Sequence, residues 1–292
     1  MPHNAGDVNI IGSPNAGKST LMNALVGEKL SIITKKIQTT RHRILGIINE
    51  KDYQIILSDT PGLLKPHYKL HESMMKHIDE AIQDADIFIY IQDINESFEF
   101  EEILQRLHKT EKHLIIALNK IDLSEQERVE KKTLKWQENF PNATVIPISA
   151  LHNFNVDTIL KMIVKLLPES PAYFPKDQLT DKNVRFFVSE IIREKILLNF
   201  QKEIPYSAEV TVYEYKEDTN IIRIKAYIHV ARDTQKGIIL GHQGKAIKKL
   251  GTDARKDIEE FVGKRVYLEL TVKVAKDWRN SDEQLKRFGY ES

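Results

Sequence analysis

The segment that most restricts this chain is Gly12-Ser13-Pro14-Asn15-Ala16-Gly17-Lys18-Ser19, which matches the pattern G-x-x-x-x-G-K-[ST]. It follows the apolar run Val8 to Ile11 and opens a helical pattern from Lys18 to about Val26. A strand, a glycine loop and a helix in that order form a phosphate cradle. Glycines let the backbone curl so that several N–H groups point inward, and the helix N-terminus adds positive potential. Lys18 is placed to reach β- and γ-phosphates, and the Ser19 hydroxyl to ligate Mg²⁺. Thr20, next in the helix, is counted with the nucleotide site. The loop alone does not choose between ATP and GTP.

The surrounding pattern fits a sheet that can carry such a loop. Ile44 to Asn49 and Tyr53 to Ser58 read as neighbouring strands, and Ile87 to Ile91, Leu114 to Leu118 and Val145 to Ile148 as three more. Helical patterns lie between them, for example Leu70 to Asp84 and Glu99 to His108, with a last one at Val156 to Leu167. Short apolar strands separated by helices predict a mostly parallel sheet covered on both faces. Three prolines in Pro168 to Pro175 then disfavour helix and predict a stiff, extended linker. Beyond it the order changes to α-β-β-α-α-β. A helix runs from Val184 to about Phe200, strands from Ala208 to Tyr215 and Ile222 to Ile228, two helical stretches flank Gly251, and a strand covers Arg265 to Val274. The expected division is a first domain at 1–170, a linker at 171–180 and a second domain at 181–292.

Three further motifs follow strands of the first domain. Asp59-Thr60-Pro61-Gly62 ends the strand from Tyr53. Its carboxylate can hold Mg²⁺ through water, and the Gly62 N–H can meet a γ-phosphate because no side chain blocks approach. The polar segment Lys35 to Arg43 contains Thr39 and Thr40. We favour Thr40 as the Mg²⁺ ligand that senses the γ-phosphate, in a loop suited to an order–disorder switch. Asn119-Lys120-Ile121-Asp122 follows the strand from Leu114. The Asp122 carboxylate can accept from guanine N1–H and N2–H₂, donors that adenine lacks. Lys120 can lay its stem across the base, Asn119 can tie this loop to the phosphate loop, and a backbone N–H at Ser149-Ala150 can meet guanine O6. Four motifs in order, each after a strand, point to GTP.

The chain carries 43 Lys+Arg against 42 Asp+Glu, a net charge of +1 that taken alone argues against a nucleic-acid partner. Counted by region, residues from Asp181 onward hold an excess of four positive charges, while Lys236 to Lys256 contains six basic residues and one acid. That stretch includes Gly241-His242-Gln243-Gly244-Lys245-Ala246-Ile247-Lys248-Lys249, a G-x-x-G loop between helical stretches. Its glycines permit close approach to a sugar-phosphate backbone, and Lys245, Lys248, Lys249 and Arg255 can neutralise phosphates. The absence of cysteine excludes disulfide, Cys-zinc and Cys-nucleophile chemistry and fits a reducing cytosol. Neither a transmembrane helix nor a secretory signal is expected.

Together these residues resemble the Era GTPase family across almost the whole chain. The most specific are Gln38-Thr39-Thr40-Arg41-His42-Arg43, with Ser189-Glu190-Ile191-Ile192-Arg193-Glu194-Lys195, Gly251 and Ala254-Arg255-Lys256 in the second domain. The resemblance implies an α/β P-loop GTPase domain of Ras-like fold, followed by an α+β KH domain of type II. It implies GTP or GDP with Mg²⁺, binding near the 3′ end of 16S ribosomal RNA, and a role in 30S subunit assembly. It also implies peripheral association with the inner face of the cell membrane, although no lipidation motif or strongly amphipathic basic anchor is present. A cytoplasmic monomer is expected.

Leu63 follows Gly62 where Ras-type enzymes carry a water-positioning Gln, so slow intrinsic hydrolysis is expected. Some related GTPases with Asn at the position of Asn15 hold a monovalent cation, here K⁺, which would make Asn15 catalytic with Lys18, Ser19, Thr40 and Gly62. Arg41 and Arg43 are further candidates for transition-state charge. The competing reading is a signalling or membrane-associated GTPase whose G-x-x-G domain binds protein. A third is an ATP-dependent enzyme.

Overall fold

The computed structural model describes residues 3–96, 101–110 and 112–290. The chain divides into two compact units, one of Met1–Lys65 with Met74–Asp181, the other of Pro66–Ser73 with Lys182–Ser292. The order in the first unit is β1 (Asn4–Gly12), α1 (Lys18–Val26), β2 (Ile44–Asn49), β3 (Tyr53–Asp59), α2 (Lys69–Asp84) and β4 (Ile87–Asp93). It continues with α3 (Glu101–His108), β5 (His113–Asn119), α4 (Gln126–Asn139), β6 (Thr144–Pro147) and α5 (Val156–Leu166). The first two residues of the helix expected at Glu99 to His108 lie outside the described residues.

Among the described residues the sheet has six strands in the order β2-β3-β1-β4-β5-β6. Every pairing is parallel except β2 with β3. All seven residues of β4 and the last five of β1 are buried, as a sheet covered on both faces requires. One face packs Ile11, Phe88, Tyr90 and Ile116 against Ile78, Leu104 and Trp136. The Trp136 indole N–H donates to Gln92 Oε1 at 3.0 Å, so this bulky core residue leaves no buried donor unpaired. The phosphate loop, Asp59 and Asn119 all fall at carboxyl ends of parallel strands, the edge where such sheets bind ligands.

The proline segment is extended, but it is not a free spacer. Its continuation, Gln178 to Asp181, runs along β2, which would otherwise expose an unpaired edge. Ile47 N–H donates to Leu179 O at 2.8 Å, Asn49 Nδ2 to Gln178 O at 2.8 Å, and Leu45 N–H to Asp181 Oδ1 at 2.9 Å. The buried Gln54 side chain donates to Phe174 O and accepts from the Tyr173 and Phe174 N–H groups.

The second unit contains α6 (Val184–Asn199), α7 (Ile204–Ser207), β7 (Glu209–Glu217), β8 (Ile221–Val230), α8 (Asp233–Leu240), α9 (Lys245–Val262), β9 (Arg265–Val274) and α10 (Asp282–Arg287). Its sheet is β7-β8-β9, antiparallel then parallel. Inward residues Ile222, Ile224, Ala226 and Ile228 pack with Val188, Ile192 and Ile196 of α6 and Leu250, Ala254 and Ile258 of α9.

Gly251 corrects the sequence reading. It lies inside the single helix α9, and helices do not flank it. A Cβ there would sit 3.5 Å from Leu270 Cδ1, an ordinary contact, so neither backbone nor space marks a break. The break falls seven residues earlier, where Gly244 takes φ +73° and starts α9. The end of the chain also holds more structure than a tail. Trp278 is fully buried with its N–H on Ser207 O at 2.9 Å, and the Tyr290 hydroxyl donates to buried Glu209. Residues Pro66–Ser73, which include the start of α2, count with this unit: Lys69 pairs with Asp282 and Arg279 lies over the Tyr68 ring.

Candidate functional site

The phosphate loop owes its path to two glycines. A Cβ on Gly12 would overlap the Ile91 carbonyl, and one on Gly17, at φ +107°, would overlap the Asn119 side-chain amide. Asn15 takes φ +62°, which its short polar side chain tolerates. Ser13 and Ala16 are buried, Pro14 is half-buried, and Thr20 is half-buried on α1. The buried Lys18 ammonium donates to Gly12 O at 3.0 Å and Ser13 O at 2.8 Å. Burial pushes its pKa down to about 8 against the pull of Asp59 and Glu96. A cation held there with so little water favours an anion across the loop.

Beside it, three oxygens from distant parts of the chain converge. Ser19 Oγ lies 2.7 Å from Asp59 Oδ2 and 2.8 Å from Thr40 Oγ1, and Thr40 Oγ1 lies 3.4 Å from Asp59 Oδ2. Asp59 is fully buried, and its Oδ1 has no hydrogen-bond partner. Burial raises its pKa, while bonds from Ser19, Ser31 and Thr40 and the Lys18 charge pull the other way. A buried carboxylate oxygen without a partner beside two hydroxyls suits a hard divalent cation such as Mg²⁺, which binds few protein oxygens and relies on substrate phosphate and water for the rest. Thr39 is elsewhere. Its hydroxyl donates to Lys36 O at 2.6 Å and meets Thr34 Oγ1 at 2.7 Å, closing a turn of its own.

The residues after Asp59 divide by direction. Thr60 turns its hydroxyl into the sheet, onto Ile10 O at 2.7 Å, which leaves it no side-chain donor for a ligand. Pro61 is buried. Gly62 approaches Pro14 so closely that a Cβ would meet its Cα at 2.8 Å. Leu63 is fully buried in the core of the first unit, with its N–H on Gly12 O at 3.2 Å.

The base corner is tied to the phosphate loop by one side chain. Buried Asn119 donates from Nδ2 to Ala16 O at 2.7 Å and accepts at Oδ1 from the Ala150 N–H at 2.9 Å. Ser149 Oγ donates to Asp122 Oδ1 at 2.5 Å, and the Ser149 N–H donates to Phe154 O at 3.2 Å. Both N–H groups expected to meet a base therefore have acceptors within the loops. Lys120, at φ +64°, bonds Asp93 Oδ2 at 2.7 Å. Sequence reasoning missed Asp93, whose signal was a lone acid at the end of an apolar strand.

Three other expected residues have different surroundings. Asn15 Nδ2 donates to Lys35 O at 3.0 Å, which fastens the loop containing Thr40 to the phosphate loop. Arg43 bonds Ser58 Oγ at 2.8 Å and pairs with Asp84 at 2.7 Å, while Arg41 is fully buried. Neither guanidinium is disposed as a surface finger.

In the second unit the corner between α8 and α9 has left-handed backbone at Gly241, Gln243 and Gly244. A Cβ on Gly241 would lie 2.6 Å from Ala246 Cβ, whereas one on Gly244 would meet nothing within 4 Å. Gly241 thus lets the corner close, and Gly244 presents bare backbone. His242, Gln243, Lys245, Lys248 and Lys249 are exposed around it, whereas Arg255, also exposed, lies about three turns further along α9 and pairs with Glu259. The motif from Ser189 to Lys195 is mostly interior. Arg193 is fully buried and bonds both carboxylate oxygens of Glu190, so its service is to the fold.

Residues 7–120 match the model of a family described as 50S ribosome-binding GTPases, and residues 203–279 match that of the KH domain. The chain is 43% identical over 289 residues to the GTPase Era of Clostridium kluyveri, covering 98% of this chain and 99% of that protein. It is 48% identical over 295 residues to an ERA-like chloroplastic GTPase of Oryza sativa, covering 99% of this chain and 70% of that protein. Among solved structures, Era in complex with MgGDPNP and nucleotides 1506–1542 of 16S ribosomal RNA aligns with a TM-score of 0.94 and 38% identity, covering 99% of this chain and all of that one.

Proposed function

Because the chain belongs to the Era family of GTPases, we propose that it is a GTP-hydrolysing switch that binds 16S ribosomal RNA and acts in assembly of the 30S subunit. The observation that carries this reading is the convergence of Ser19, Thr40 and Asp59 beside buried Lys18, with Asn119 joining that corner to Asp122. Lys18 and the loop N–H groups hold the triphosphate. Ser19, Thr40 and Asp59 hold Mg²⁺, which when bound neutralises charge on the β- and γ-phosphates. Hydrolysis is in-line attack of water on the γ-phosphate, with Lys18 and the N–H groups stabilising the charge that develops. Loss of the γ-phosphate then frees Thr40 and its loop. In the second unit the bare backbone at Gly244 and the lysines of α9 clamp unpaired nucleotides.

The test of the nucleotide reading is Asp122→Asn. It should weaken GTP binding by about a hundredfold or more, since a carboxylate accepting two base donors is replaced, and shift preference toward xanthosine nucleotides. Isothermal titration with GTP, XTP and ATP measures both. Unchanged preference would favour an ATP-dependent enzyme.

A further inference from the structure

The second unit has another surface with the chemistry of a ligand site, on the face of its sheet opposite the helices. β7 is bulged between Val212 and Glu214. The extra residue leaves Val212 and Tyr215 against the core and turns both Tyr213 and Glu214 outward. Bulges re-aim side chains in this way and are frequent beside binding sites. Tyr213 stacks on Tyr227 of β8 with ring centroids 4.0 Å apart and planes 14° from parallel. The Lys273 ammonium lies 3.3 Å from the Tyr227 centroid. Tyr213 remains 41% exposed.

The outward positions of β8 are Ile221, Arg223, Lys225, Tyr227 and His229, and those of β9 are Arg265, Tyr267, Glu269, Thr271 and Lys273. Ile221, at the end of β8, is aliphatic; of the others four are cations against one acid. β7 and its turn add Glu214, which pairs with Lys225, and Asp218, which pairs with Arg223. His229 is buried and neutral at pH 7. Burial lowers its pKa to about 4, opposed by Glu209 and helped by nearby Arg287 and Lys273. At that end Phe288 covers His229, with ring centroids 4.8 Å apart. At the other end Tyr267 is 48% exposed below Arg223. It pairs with a residue four positions before Tyr227, about 13 Å along the strand.

The core of a protein interface is depleted of Lys and Glu, whereas Glu214, Lys225 and Glu269 stand side by side across the middle of this patch. Planar rings among cations suit unpaired bases and phosphates. We propose that this outer sheet face is a second contact site for single-stranded RNA, in which a base stacks on the open face of Tyr213 and phosphates meet Lys273 and Arg287. The site is separate from the glycine corner and does not require it.

Fluorescence anisotropy of the full chain with labelled oligouridine tests this. Tyr213→Ala should weaken binding about tenfold, while Tyr213→Phe, which keeps the ring, binds as the unsubstituted protein does. Lys273→Gln should lower the slope of log affinity against log salt by about one. Gly244→Asp should leave residual binding that Tyr213→Ala then removes. If Tyr213→Ala and Lys273→Gln bind normally while Gly244→Asp abolishes binding, this site is refuted and the glycine corner stands. Failure of every protein to bind oligouridine or ribosomal RNA refutes both.

Discussion

Leu63 occupies the chain position of a water-orienting side chain, yet it is fully buried with Ile11, Ile78 and Phe88. Its sequence neighbours suggested only that it cannot orient water. The structure adds that a longer polar side chain there would enter the core. Leu63→Gln should therefore leave kcat within about twofold and destabilise the protein by about 2 kcal/mol, the cost of burying an amide. Single-turnover hydrolysis and urea unfolding read the two effects, and a tenfold rate gain would show that the side chain reaches the phosphate. Asp7 is a second informative residue. Burial and neighbouring Asp86 raise its pKa from 3.8 to about 6, with Arg43 opposing. The folded state keeps this proton where the unfolded chain has lost it, so stability falls as pH rises from about 4 to 6. Asp7→Asn should raise stability at pH 7 by about 1 kcal/mol, after allowance for partial exposure, and change it little at pH 3.5. Urea midpoints at the two pH values check the sign. Nothing in the sequence marked Asp7, because its neighbours Asp84 and Asp86 lie nearly eighty positions away.

At the scale of elements, most strands and the helices α1, α2, α5 and α6 were legible because their periodicity is local, whereas α4 was given no bounds and α9, the longest helix, was read as two stretches. β2, α1 and the ends of β3 and α2 differ from expectation by at most one residue. What escaped was set by tertiary contact. The short α7 and α10 lack enough turns to show a period, and Gly251 looked like a break because glycine is a poor helix former. Two substitutions separate these roles. Gly251→Ala should stabilise the second unit by about 0.5–1 kcal/mol, since the helix is continuous and the new methyl has room. Gly241→Ala should cost about 2 kcal/mol or more, because φ is positive and the methyl would strike Ala246. Thermal unfolding ranks them, and a destabilising Gly251→Ala would mean that α9 is bent or strained there. In the nucleotide site, the residue types were legible from four motifs. So was the tie from Asn119 to the phosphate loop, but other links were not: Asn119 to Ala150, Lys120 to Asp93 and Asn15 to Lys35 each join segments separated by twenty or more residues.

For the whole molecule, a net charge of +1 conceals an unequal division. The region from Asp181 onward is basic, and its cations stand both at the glycine corner and on the outer sheet face. A chain that joins such a unit to a nucleotide switch should link the two ligands. Adding the proposed ribosomal RNA should change GTP turnover several-fold, and the GTP-bound and GDP-bound forms should crosslink to isolated small subunits to different extents. Equal turnover with and without RNA would argue that the two activities are independent.

The segment laid along β2 also bears on synthesis. Its residues are the last of the first unit to be made, yet they bond to a strand completed more than a hundred residues earlier. While the chain is emerging, the first unit must wait with one border of its sheet open. It can close only when the chain as far as Asp181 has left the ribosome, which gives vectorial synthesis a defined end point for this half of the protein.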